Sequence, residues 1–183
     1  MTLGRIARIA LFVSLAILIF SFVASSGGRR AAAAHPQSVQ ADPHCRHVGG
    51  AVMTDFGAID PTTTMGIATG DLRGAVSGSI LGLPQTGSGG TVIFHVQHHW
   101  VTESGDQLFF DPATATTMPL GSGLFAVLTY PLHPAGGTGK FANVTNDGSE
   151  IDAIGEVHCD NAMCSAGQTI FRYSGQVCFA TQD

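Results

Sequence analysis

Charge is scarce in this chain: only 11% of its 183 residues are Asp, Glu, Lys or Arg, and Lys140 is the sole lysine. What charge there is lies unevenly. Arg5, Arg8, Arg29 and Arg30 precede His35, whereas all thirteen acidic residues follow it, so a chain starting at His35 sets four basic residues against thirteen acidic ones, a balance of −9. A surface of that sign repels phosphate backbones, which argues against nucleic acid as a partner. Motifs of common catalysis are also missing. No G-x-S-x-G elbow, P-loop or G-x-G-x-x-G opening a helix occurs, and Gly137-Thr138-Gly139 sits in a turn setting, so no cofactor is expected. Asp71, Glu103, Asp106, Asp111 and Glu156 show no paired spacing and read as solvated carboxylates. Beyond Ala24 no long segment has the 3.6-residue apolar period of a helix.

The first 25 residues have a different character. Arg5 and Arg8 precede an apolar run from Ile9 to Ala24, broken only by Ser14 and Ser21 and followed by small residues. That is the layout of a secretory signal peptide, and the run falls short of the ~20 residues of a spanning helix. Residues 1–25 are therefore expected to direct export to the exterior or cell envelope; an uncleaved anchor is the alternative and the only membrane contact foreseen. Residues 26–47, rich in Ala, Gly, His and Pro without periodicity, read as a flexible linker.

Residues 48–183 carry turn signals about every ten residues, including Asp60-Pro61, Gly82 to Pro84, Ser104-Gly105, Pro134 to Gly139 and Asn146 to Gly148. Between them the pattern alternates. Glu150, Asp152, Ile154 and Glu156 oppose Ile151, Ala153, Gly155 and Val157, while Thr169, Phe171, Tyr173, Val177 and Phe179 oppose Arg172, Ser174, Gln176 and Cys178, the period-2 sign of half-buried strands. An all-β fold follows. Closure into a barrel is preferred, since long strands poor in edge-blocking lysine need an arrangement without edges. The glycines of GDLRGAVSGSILG then mark bends or close backbone approaches within a coiled strand.

Four cysteines in an exported chain are expected to pair. Of three connectivities, Cys159 with Cys164 and Cys45 with Cys178 is favoured: the first closes a loop between the last two strands. The second ties the N-terminal tail to a residue that is out of step with the core face.

The strand Thr91 to Glu103 holds three of the eight histidines and the single tryptophan. Alternation places Val92, Phe94, Val96, His98 and Trp100 on the more apolar face, hence toward the interior, with Ile93, His95, Gln97, His99 and Val101 outside. A metal site on His95, His99 and Glu103 fails on spacing, because residues four apart on a strand are separated by roughly 13 Å. His44, Cys45, His47, His158, Cys159 and Cys164 have zinc-ligand chemistry, but thiols pair in an oxidising compartment. No metal is expected.

GDLRGAVSG, HHWVTESGD, GGTGKFANVT and RYSGQVC, spread over Gly66 to Phe179, resemble the allene oxide cyclase barrel-like family, a relative of dirigent and plant allene oxide cyclase barrels. The resemblance implies a single antiparallel eight-stranded calycin-like barrel with a central cavity, and trimers as in plant relatives. No catalytic glutamate maps onto a residue here. Two functions follow. One is a binding barrel for a small hydrophobic or aromatic ligand lined by Phe94, His98, Trp100, Leu128, Tyr130, Phe171 and Tyr173; the other is a cyclase or dirigent-like isomerase using His98 as base or charge stabiliser. A structural envelope protein with a filled barrel is the third expectation.

Overall fold

The computed structural model describes residues 44–180. The segment expected to direct export, and the expected linker up to residue 43, lie outside the described residues. Twelve strands form one antiparallel sheet: β1 (Cys45–Phe56), β2 (Thr63–Ala68), β3 (Gly74–Ile80), β4 (Gln85–Thr86), β5 (Val92–Thr102), β6 (Gln107–Phe110), β7 (Ala113–Gly121), β8 (Leu124–Thr129), β9 (Pro131–Leu132), β10 (Pro134–Gly137), β11 (Val144–Cys159) and β12 (Gly167–Phe179). β1 takes in residues 45–47, which the sequence pattern assigned to the linker.

Eight of the twelve close a ring. The path runs β1-β2-β3-β5-β7-β8-β11-β12, each joined to the next in chain order, and β12 returns to β1 over a twelve-residue register from Cys45↔Cys178 to Phe56↔Gly167. The fold is all-β and barrel-like, but the ring is irregular. Prolines explain much of that: Pro112 separates β6 from β7, and Pro131 and Pro134 each open a short new strand, because proline has no N–H to continue a ladder. The N–H of Asp111 still donates to the His133 carbonyl at 2.9 Å, so the two broken strands stay side by side.

One end of the ring, here the lower, carries Cys45, Ala68, Thr102 and Phe179; the upper carries Phe56, Ile80, Val92 and Cys159. The lower end is plugged by two single 3-10 turns, Gly70–Leu72 and Gly139–Phe141, which tuck Leu72 and Phe141 inside. The GDLRG stretch is thus a turn followed by a strand, not one coiled strand. Gly70 makes the turn possible: its φ is +78°, and a Cβ there would lie 2.1 Å from the Gly49 carbonyl oxygen. Close backbone approach is the correct reading of this glycine, in a different element.

Both disulfides form as the spacing predicts, Cys45–Cys178 and Cys159–Cys164. Two such bridges are compatible with an oxidising environment. Cys178 points off the core face yet is buried, because β11 bulges between Thr145 and Glu150 and lays residues 146–149 over it. The Asn146 to Gly148 turn signal is this bulge. Its Ser149 Oγ accepts the Cys178 N–H at 2.8 Å.

Candidate functional site

Alternation along β5 turns Val96, His98 and Trp100 inward, as the pattern requires. The lower interior is solid. Trp100 is 2% exposed and packs tilted against Phe110, centroids 5.3 Å apart, and edge-on to Tyr173 at 5.2 Å. The Tyr173 hydroxyl donates to the Thr69 carbonyl at 2.7 Å and accepts the Leu72 N–H at 3.0 Å, locking the plug to the last strand. Burial pushes the Tyr173 phenol up, so it remains protonated for this role. Leu108, Ile151 and Val177 complete a floor with no more than 1% exposure each.

Above the floor the interior changes. His98 and Phe171 face inward from the middle of their strands and Phe94 from near the upper end of β5, and all three are half-buried rather than fully buried. Phe171 is paired between Val52 and Gly155, and the His98 ring packs over Gly78, where a Cβ would lie 3.1 Å from its Nδ1 and Cε1. Tyr130 closes the group, its ring edge-on to Phe171 at 5.9 Å and tilted to His98 at 5.5 Å. His98 Nε2 and the Tyr130 hydroxyl are hydrogen-bonded to each other.

Of the seven residues expected to line a ligand space, the structure brings His98, buried Tyr130 and Phe171 together, keeps Phe94 inward nearer the upper end of β5, and puts Trp100 and Tyr173 in the sealed floor. Leu128 is a correction. It is 46% exposed on the outer face, while Val127 beside it is buried. Leu128 and Tyr130 have equal parity, yet only Tyr130 is inward. The phase breaks between them, where Pro131 ends β8 and the β7 partner slips one residue between Thr116 and Thr117. Phe110, a central contact of both Trp100 and His98, was not singled out from the sequence, although its alternation with Leu108 in QLFF was the available signal.

The polar residues outside the ring are engaged elsewhere. His95 pairs with Thr114, His99 with Gln107 while stacked on Phe109, and Glu103 with Arg73 at 2.9 Å. Asp71 accepts the Gly49 N–H, Asp106 the Ser104 hydroxyl, Asp111 the Asn146 amide, and Glu156 lies 2.9 Å from His158. None of these carboxylates is buried, and none approaches His98. Among the described residues no group of three or more His, Cys, Asp or Glu is arranged to hold a metal ion. Two outer grooves at the lower end, one along Ile67, Arg73 and Val101 and the other along Ile154 and Arg172, do not involve His98.

Burial lowers the His98 pKa from 6.5 to about 4, with the Ser77 backbone opposing weakly, so the imidazole is neutral at physiological pH. Burial raises the Tyr130 phenol, which stays protonated. The consequence is measurable. An unfolded chain takes up the His98 proton below pH 6.5 while the folded chain refuses it until about 4, so this stabilisation is complete above pH 6.5 and is lost as pH falls toward 4. Since His98 as a whole is not fully buried, the loss is about 2 kcal/mol. Urea midpoints taken between pH 7 and 4 should fall less steeply in His98→Gln than in wild type; parallel slopes would refute the buried neutral imidazole.

No protein-family model matches this chain, and no curated protein matches it. Among solved structures it is similar to one described as "De novo design of transmembrane beta-barrels", at 8% identity over 74% of this chain and 98% of that one, with a TM-score of 0.32. So slight a likeness transfers neither fold nor function.

Proposed function

We propose that this chain is an exported binding protein that seats a small hydrophobic or aromatic ligand in the upper half of its ring. One observation carries the reading: His98 and Phe171 at mid-strand, and Phe94 nearer the upper end of β5, are inward but only half-buried, above a floor that is fully buried. A concave apolar space with a few polar groups is the usual form of such a site. Resemblance to the allene oxide cyclase barrel-like family supports the same reading, together with a calycin-like barrel, trimeric assembly and passage through the secretory route. The disulfides agree with export.

Titration of lipids and phenolics against the emission of Trp100 tests the reading. A bound ligand changes that emission, Phe171→Ala weakens its binding roughly tenfold, in keeping with about 1.5 kcal/mol for an aromatic wall, and outer-face Ile154→Ala leaves it unchanged. If no compound alters the emission or gives a calorimetric signal, the seat does not exist.

A second reading, an isomerase of the cyclase or dirigent type, draws on the hydrogen bond between neutral His98 and Tyr130, which is an acid and a base already in contact. Turnover of an allene oxide that survives His98→Ala undiminished removes His98 from that role.

A further inference from the structure

The two ends of the ring differ in what their turns expose. Four hairpins close the upper end, β1 to β2, β3 to β5, β7 to β8 and β11 to β12, and each holds out one aliphatic side chain. These are Ile59, Leu83, Leu120 and Met163, between 59% and 87% exposed. The lower turns, residues 69–73, 103–106 and 138–143, expose no large hydrophobic side chain, and their own Leu72 and Phe141 are tucked inside. Turn positions usually carry Gly, Pro, Asn, Asp or Ser. Apolar side chains scattered singly over a surface are ordinary, but one on every hairpin of the same end, with none on the turns opposite, is an asymmetry that asks for a cause. The outer face also shows Met53, Ile67 and Ile154, but there Asp55, Glu156 and Arg172 are set among them.

Neighbouring hairpins stand about two strand spacings apart, ~10 Å. The four side chains are thus separate convex points around a rim, not the walls of one groove. A folded protein partner would have to supply a pocket for each, whereas the boundary layer of a bilayer takes apolar points wherever they lie. Charge selects among lipid surfaces. Of the described basic residues, Arg46, Arg73 and Lys140 lie at the lower end, and Arg172 is mid-strand on the outer face of β12. The upper loops hold Asp60 and Asp160 and neither lysine nor arginine. An anionic leaflet attracts basic side chains and would repel this end, while a zwitterionic one would not.

We propose that the upper rim is a docking surface for a zwitterionic lipid bilayer, entered end-on by Ile59, Leu83, Leu120 and Met163 while Asp60 and Asp160 stay among the headgroups. The plugged lower end, which carries most of the basic residues, then faces water. This docking requires no ligand inside the ring, so it stands or falls apart from the seat proposed above.

Full-length chains carrying Leu83→Trp or Met163→Trp, mixed with vesicles of phosphatidylcholine whose acyl chains are brominated, report contact at the tips themselves. Trp100, sealed in the floor, supplies a constant background. Emission of both added tryptophans should shift to the blue and fall roughly twofold, the response of a ring lying about 5–10 Å into the boundary layer. Ile154→Trp, on the outer face at mid-height, should give neither. Adding Ile59→Ser to the Leu83→Trp chain should raise the lipid concentration for half of the effect roughly five- to tenfold, the worth of one buried aliphatic side chain. Exchanging half of the phosphatidylcholine for phosphatidylglycerol should weaken the response. Vesicles that leave both tips unquenched overturn the docking, and this is also the outcome if the chain attaches only through residues 9–24. Equal quenching of Ile154→Trp, which means side-on contact, or stronger quenching with phosphatidylglycerol overturns it as well.

Discussion

Replacing Trp100 with alanine is expected to destabilise the fold by about 3–5 kcal/mol, the range for truncating a large buried aromatic. The reason is its place in the floor. Trp100 is 2% exposed and bridges Phe110 on the broken strand and Tyr173 on the closing strand, whose hydroxyl accepts the Leu72 N–H of the plug. Against a total stability of 5–15 kcal/mol for an ordinary domain, that loss is a large fraction. Trp100→Phe should behave differently. The indole Nε1 is buried without a hydrogen-bond partner, so the native side chain already bears the cost of an unpaired donor, which phenylalanine lacks. Its loss should be about 1 kcal/mol. Urea unfolding followed by circular dichroism measures both, since the intrinsic fluorophore disappears in each variant. An alanine variant within 1 kcal/mol of wild type would show that the lower interior is not packed.

Removing the Cys45–Cys178 bridge should have an effect of similar size, about 4–5 kcal/mol on the chain-entropy account, because it closes a loop with a sequence separation of 133. Cys159–Cys164, with a separation of 5, should contribute only about 2 kcal/mol on the same account. Position reinforces the difference. Cys45 and Cys178 are direct cross-strand partners at the end of the β1–β12 ladder, so their bond pins the first strand to the last where the ring closes. The smaller bridge only tightens a loop at the upper rim. The Cys45→Ala/Cys178→Ala double variant should therefore melt roughly 10 °C below Cys159→Ala/Cys164→Ala, taking about 3–4 °C per kcal/mol for a domain of this size. Equal melting temperatures would mean that ring closure does not depend on the tether.

Several features were legible before any coordinates. The period-2 alternation separated the inward from the outward residues over Glu150–Val157 of β11 and along β12, because the side-chain period of a strand is fixed and one face is buried. The same rule placed Val96, His98 and Trp100. Where alternation fails, the cause is a local break. Leu128 and Tyr130 have equal parity but opposite fates, since the strand stops at Pro131 and its partner slips by one residue. Cys178 was correctly turned off the core face, yet its burial depends on a bulge in another strand, which nothing in its own neighbourhood signals. The number of strands shows the same limit: eight form the ring, and the prolines at 112, 131 and 134 help cut the remainder into pieces.

By itself the sequence determined the all-β class and the inward faces of β5, β11 and β12, and it favoured the cysteine pairs that form, all of which follow from spacing and composition along the chain. Tertiary structure alone decided that Trp100 and Tyr173 form a sealed floor while His98 meets Tyr130 above it. Those two residues are 32 apart in sequence and on separate strands. Which side chains meet across a closed sheet depends on register, bulges and plugging turns, and these are set by the packing of the whole ring rather than by any segment of it.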